Sequence, residues 1–169
     1  SEADCEERMA PLFWDVRARL GDWLYAVDAP GLEGRVLQLL KERGLTFSAA
    51  ESCTGGLIAK RITDLSGASA VFRGGVVSYT NAVKAGVLGV PETLLAQYTA
   101  VSEPVARAMA EGVRALTGSD LAVSVTGVAG PGPDDDGHPE GLVYAALTDG
   151  EHTWVRRLEL GTGRGRIRV

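Results

Sequence analysis

Cysteine, histidine, methionine and aromatic residues are all scarce in this chain of 169 residues: two Cys, two His, two Met, and 6% Phe, Trp and Tyr together. Cys5 and Cys53 are too few for a disulfide framework and form no CxxC pair, so neither a disulfide scaffold nor a structural zinc site is expected. No apolar run approaches the ~20 residues that a membrane helix needs, and no signal-peptide pattern opens the chain. Basic charge is outweighed, 17 Lys and Arg against 22 Asp and Glu for a net charge of −5. With no Lys/Arg stripe, this balance argues against a dedicated nucleic-acid binder. The dinucleotide fingerprint GxGxxG and the nucleophile-elbow pattern GxSxG are missing too. What remains is 45% apolar and 23% charged, a composition that buries one core and lies far from that of disordered chains. The expectation is a cytoplasmic protein, away from membranes, with no metal ion and no cofactor.

Residues 1–9 are polar and acidic and read as a loose end. From Pro11, the spacing of Leu12, Val16 and Leu20 predicts a helix. Asp22–Val27 reads as a short strand, and Asp28-Ala29-Pro30-Gly31 as a linker. This divides the chain into an appendage, 1–30, and a main domain, 31–169. In the main domain helical and strand patterns alternate. Leu32, Val36, Leu39 and Leu40 stripe a helix that Gly44 ends. Thr46–Ala50 is a short strand, Gly55–Leu65 a helix, and Val71–Tyr79 a β-rich segment. Asn81 is placed to cap a short helix, and Pro91 to open another. Ser102 is placed to cap the longest helix, striped by Val105, Met109, Val113 and Leu116. Leu121–Val125 is a buried strand, and Leu142–Leu147 and Thr153–Leu160 form a hairpin across Asp149-Gly150. The alternation predicts an α/β fold of three layers, α/β/α, with a mixed sheet and helices on both faces.

The densest chemical signal is Ala50-Glu51-Ser52-Cys53-Thr54-Gly55-Gly56. Reactive side chains stand between a strand and a helix, followed by two glycines that permit a tight turn. Free amides at the helix start suit an anion or oxyanion, although the same pattern also serves as a plain helix cap. Ser52 or Cys53 as a nucleophile needs a proton acceptor. His138, beside three aspartates, and His152, after a hairpin turn, both read as solvated. Lys41 suits a helix C-terminus and Lys60 points outward. Lys84 follows the polar turn Ser78-Tyr79-Thr80-Asn81. It is a base only if burial or nearby cations lower its pKa, and otherwise an ordinary solvated lysine. Ser124–Pro131 carries a buried strand into a small-residue loop, the place where α/β sheets hold ligands. Thr126 there suits a ligand hydroxyl or phosphate, or the loop serves chain geometry alone. Arg164, Arg166 and Arg168 follow Gly161-Thr162-Gly163 and suit either phosphate binding or a solvated basic end. Asp134–Asp136 lacks the spacing of an EF-hand loop.

In combination, AESCTGG at 50–56, SYTNAVK at 78–84, VSEP at 101–104 and TGVAGP at 126–131 closely resemble the CinA C-terminal domain family. That family includes the nicotinamide mononucleotide deamidases, and the resemblance runs from about Leu32 to the end of the chain. It implies hydrolysis of the carboxamide of nicotinamide mononucleotide to nicotinate mononucleotide and ammonia, by a serine nucleophile with a lysine base and no metal. Carried over by motif position, Ser52 is the nucleophile, Lys84 its base, and Tyr79 assists the hydroxyl network or orients the ligand. Thr54, Gly55 and Gly56 would supply the oxyanion side, and Thr126, Gly127, Gly130 and Arg164 would contact substrate. The family continues past the position of Val169 into a helix, and residues 11–30 resemble the end of the upstream region in two-domain members. The resemblance thus implies a domain trimmed at its C-terminal helix. A second reading is a regulatory module that binds pyridine nucleotide without turnover, linked to competence or DNA damage. Retention of both Ser52 and Lys84 argues for the enzyme, since a binder needs neither. The expected partners are the mononucleotide and further copies of the chain in a homo-oligomer, with apolar residues around Trp14 and Trp23 as interface candidates.

Overall fold

The small and apolar run Phe47–Glu51 forms strand β1, buried along its whole length. Such burial on both faces is what a central strand of a parallel sheet requires. In the computed structural model, which describes residues 2–21, 24 and 31–168, β1 is flanked in parallel by β2 (Phe72–Val77) and β3 (Leu121–Gly127). Strands β4 (Leu142–Thr148) and β5 (Thr153–Glu159) add antiparallel, giving the order β2-β1-β3-β4-β5. The helices are α1 (Glu2–Leu20), α2 (Leu32–Arg43), α3 (Leu57–Thr63), α4 (Asn81–Leu88), α5 (Glu92–Tyr98), α6 (Glu103–Thr117) and α7 (Arg164–Arg168).

Strand side chains alternate between two helical layers. On one face Ala50 and Ala122 pack with Val105, Met109 and Val113 of α6, the stripe that its sequence spacing predicts. On the other face Phe47 packs with Leu37 and Leu40 of α2 and Ile62 of α3. The fold is therefore α/β/α with a mixed sheet. Small residues let α6 lie close to the sheet, and Ser124 Oγ donates to the Ala106 carbonyl of α6 at 2.5 Å. Burying each large side chain in these clusters contributes about 1.5–3 kcal/mol. Gly112 of α6 meets the Leu88 carbonyl at the end of α4 so closely that a β-carbon would collide with it. That crossing seats α4, and with it Lys84, against the core.

Several local expectations change. Glu2–Leu20 is one helix, where residues 1–9 were expected to be loose. Ala, Glu and Arg in that stretch are strong helix formers, and the one bond lost at Pro11 does not break it. This makes α1 longer than α6. Its Met9, Leu12, Trp14, Val16 and Leu20 are exposed, and it supplies none of the buried core. The expected strand Asp22–Val27 and the linker from Asp28 lie outside the described residues, with Trp23 and Tyr25, except for Leu24, which is in no strand, and Gly31, which precedes α2. Thr80 rather than Asn81 caps α4: its extended backbone turns Oγ1 to accept from Val83 N–H at 3.4 Å, and Asn81 is the first helical residue. Ser102 occupies the cap position of α6, but its hydroxyl donates to the Thr99 carbonyl. The hairpin between β4 and β5 forms as expected, with Asp149 accepting from Glu151 and His152 N–H. No described helix is long and apolar enough to cross a membrane.

The chain leaves β1 for β2 on one side and returns as β3 on the other. The carboxyl ends of β1 and β3 therefore flank a topological switch point, where sheets of this kind gather their ligands.

Candidate active site

At that switch point β1 ends in Glu51 and the chain turns sharply through Ser52, Cys53, Thr54, Gly55 and Gly56 into α3. Gly55 and Gly56 have φ of +63° and +98°, a conformation that side-chain-bearing residues rarely adopt. Glu51, 1% exposed, folds its carboxylate under the start of α3: Oε2 accepts from Gly56 and Ile58 N–H at 3.0 Å each, and Oε1 from Ala59 at 2.9 Å. Gly55 N–H donates to the Ser52 carbonyl. The two glycine amides are thereby committed. The amides of Cys53 and Thr54 face the Cys53 sulfur, which accepts from both. From the far end of the chain, Arg168 donates to the Cys53 and Thr54 carbonyls at 3.0 and 3.1 Å, bracing the turn from α7.

Ser52 faces a cavity of about 310 Å³ that Tyr79, Lys84, Thr126, Gly130 and Arg164 also line. Lys84, on α4, is 1% exposed, and its Nζ stands 3.0 Å from Ser52 Oγ and 2.7 Å from the Ser78 carbonyl. Ser78 is itself held to β1 by donation of its N–H to the Glu51 carbonyl. Among the described residues no carboxylate pairs with Lys84. Burial without a counter-ion pulls its ammonium down to about 8. A lysine in this state gives up its proton near neutral pH and can take one from a serine hydroxyl. Cys53, also at the cavity, turns into an apolar cluster with Ala129, Val143 and Ile167. Burial raises its thiol pKa, which suppresses the reactive thiolate. The geometry thus separates two neighbours that the sequence leaves equivalent.

The remaining residues form the rim. Tyr79 is exposed, and its hydroxyl accepts from Arg164 at 3.2 Å rather than joining Ser52 and Lys84. Arg164 also donates to the Gly130 carbonyl at 2.8 Å. Arg166 is exposed and Arg168 braces the turn after Ser52, so of the three arginines only Arg164 borders the cavity. The Thr126 hydroxyl is already donated to the Ala100 carbonyl at 2.7 Å, which leaves it an acceptor toward a ligand. Gly127 lets β4 approach closely, since a β-carbon there would strike the Leu142 carbonyl. Thr54, Gly55 and Gly56 lie in the turn beneath the serine and do not line the cavity. His138 is half-buried, not solvated, because Asp134 bonds its Nδ1 at 2.9 Å and Thr99 faces its Nε2. Asp134, Asp136 and His138 come within 4.8 Å of one another, at the loop over the cavity. Sequence reasoning overlooks Glu51 and Glu140. Glu51 has a local signal, a carboxylate ending a buried strand just before a Gly-Gly turn. Glu140 has none, since the groups it touches lie 8 and 23 residues away.

Residues 30–169 match the CinA C-terminal domain family. A CinA-like protein of Geobacter sulfurreducens is 49% identical over 169 residues, covering 100% of this chain and 41% of that protein. A CinA-like protein of Desulfovibrio desulfuricans is 50% identical over 157 residues, covering 92% of this chain and 37% of its own length. The chain therefore spans about two fifths of these relatives. Among solved structures, a competence/damage inducible protein of Agrobacterium tumefaciens superposes with a TM-score of 0.78 at 39% identity, over 85% of this chain and 90% of that one. The competence damage-inducible protein A of Klebsiella pneumoniae gives 0.79 at 34% identity, over 81% and 85%.

Proposed function

The chain belongs to the CinA C-terminal domain family, and from that premise we propose that it is an amidohydrolase acting on the carboxamide of nicotinamide mononucleotide. The observation that carries the reading is the buried Lys84 amine, 3.0 Å from Ser52 Oγ and with no carboxylate paired to it among the described residues. Ser52 Oγ attacks the carboxamide carbon while Lys84 Nζ takes the hydroxyl proton. The amide of Cys53, which borders the cavity, is the donor assigned to the oxyanion, and such a donor is typically worth about 3 kcal/mol of barrier. Lys84 returns its proton to the departing nitrogen and ammonia leaves, with the acyl group on Ser52. Water, deprotonated by the same amine, releases the carboxylate product and restores the serine. Arg164 and Tyr79 stand at the rim to meet the anionic end of the substrate.

The test is ammonia release from nicotinamide mononucleotide, with the product identified as nicotinate mononucleotide by chromatography. Ser52→Ala is expected to lower turnover by a factor of at least ~10³. Binding of the mononucleotide by the wild-type chain without any ammonia release would replace the enzyme by the regulatory module.

A further inference from the structure

Glu140 lies in the loop between β3 and β4, and no step of the proposed reaction uses it. Each of its carboxylate oxygens is given to a different stretch of chain: Oε2 accepts from Gly132 N–H at 2.9 Å, and Oε1 from Gly163 N–H at 2.8 Å. Gly132 belongs to the loop that walls the cavity, while Gly163 immediately precedes Arg164. The side chain crosses directly over Gly130, where any β-carbon would collide with the carboxylate. Arg164 in turn donates to the Gly130 carbonyl. The same two segments are thus tied twice, once by the glutamate and once by the arginine. These backbone donors hold the Glu140 carboxyl below its ordinary range, so it stays a charged double acceptor at neutral pH.

We propose that Glu140 is a positioning residue that fixes Arg164 over the cavity mouth and so selects substrates with an anionic group at that end. The inference rests on the reading that Arg164 meets the substrate's phosphate. α7 has only five residues, and the exposed Arg164 side chain rests on the Gly130 carbonyl and the Tyr79 hydroxyl, so its reach depends on how firmly its own segment is held to the Gly130 loop. A glutamine at position 140 has a single acceptor oxygen and can hold one of the two segments but not both.

The full chain and its Glu140→Gln variant are compared on nicotinamide mononucleotide and on nicotinamide riboside, which lacks the phosphate. The variant is expected to raise KM for the mononucleotide roughly tenfold, the scale of one charge-assisted hydrogen bond. Turnover number should stay within about twofold of wild type, and kcat/KM for the riboside should not move. An unchanged KM, or an equal loss on both substrates, overturns the proposal. A wild-type chain that hydrolyses neither substrate overturns the amidase reading instead. The clasp is then judged by hydrogen exchange in Glu140→Ala, where the Gly132 and Gly163 amides should lose protection together. If only one opens, or neither, Glu140 does not join the two segments.

Discussion

Lys84 concentrates the chemistry of the site in one titration. Its ammonium is held near 8 by burial, so kcat/KM should rise with pH as the amine is freed and level off above that value. The same titration governs stability. Between about 8 and the ordinary lysine value near 10.4, the unfolded chain binds a proton that the folded chain has lost. Stability therefore rises with pH through that window, and the full cost of the buried charge is present below 8. Lys84→Met is expected to be inactive yet more stable than wild type at pH 7 by about 2 kcal/mol, the charging cost less the hydrogen bonds given up. In urea denaturation that gap should close toward pH 10. A flat pH–rate profile, or a stability difference that does not change with pH, would sink the lysine base. The sequence shows three lysines and sets Lys84 apart only by the polar turn before it, which leaves an ordinary solvated lysine as open as a base. The choice is made by burial, which comes from the crossing of α4 and α6 at Leu88 and Gly112, a contact with no signal in the sequence around residue 84.

At the scale of elements, the passage from β1 to α3 is the part of the site that was most legible. A run of buried small residues, a reactive stretch and a glycine pair predict strand, tight turn and helix, and all three form there. What the pattern does not reveal is that Glu51 takes the place of an N-cap, since the carboxylate reaches forward from the preceding strand to amides five, seven and eight residues on. Glu51→Ala leaves those amides without an acceptor in a buried setting, at a cost of about 3 kcal/mol. The melting temperature should fall by roughly 6–12 °C, at the 2–4 °C per kcal/mol usual for chains of this size. Glu51→Gln, which keeps the shape and an acceptor oxygen, should lose roughly half as much. Equal melting temperatures for wild type and Glu51→Ala would show that the turn holds without the carboxylate. Within the main domain, strand and helix boundaries moved by a residue or two, and Thr80 displaced Asn81 as a cap because the choice turned on backbone angles.

For the whole molecule, the layer architecture followed from alternating patterns, whereas the meeting of residues 52, 84, 126 and 164 did not. It depends on β3 returning beside β1 and on α7 closing under the turn, both long-range outcomes of packing. Three of the four motifs hold Ser52, Lys84 and Thr126, the family resemblance adds Arg164, and geometry supplies the reason that they meet. The core clusters draw on residues from 36 onward, with α1 contributing to none. Deleting residues 1–20 is therefore expected to shift the melting temperature by no more than ~2 °C, measured by calorimetry. A larger drop would mean that α1 covers part of the domain in solution. Sedimentation of both forms would also test the expected homo-oligomer. The brace that Arg168 places on the Cys53 and Thr54 carbonyls spans 115 and 114 residues of chain. At about 5–20 residues per second of synthesis, roughly 6–23 s separate translation of the serine turn from translation of the arginine that steadies it. During that interval the nascent chain holds Ser52 in a turn that has no brace beneath it, and the turn gains that support only once residue 168 has been made.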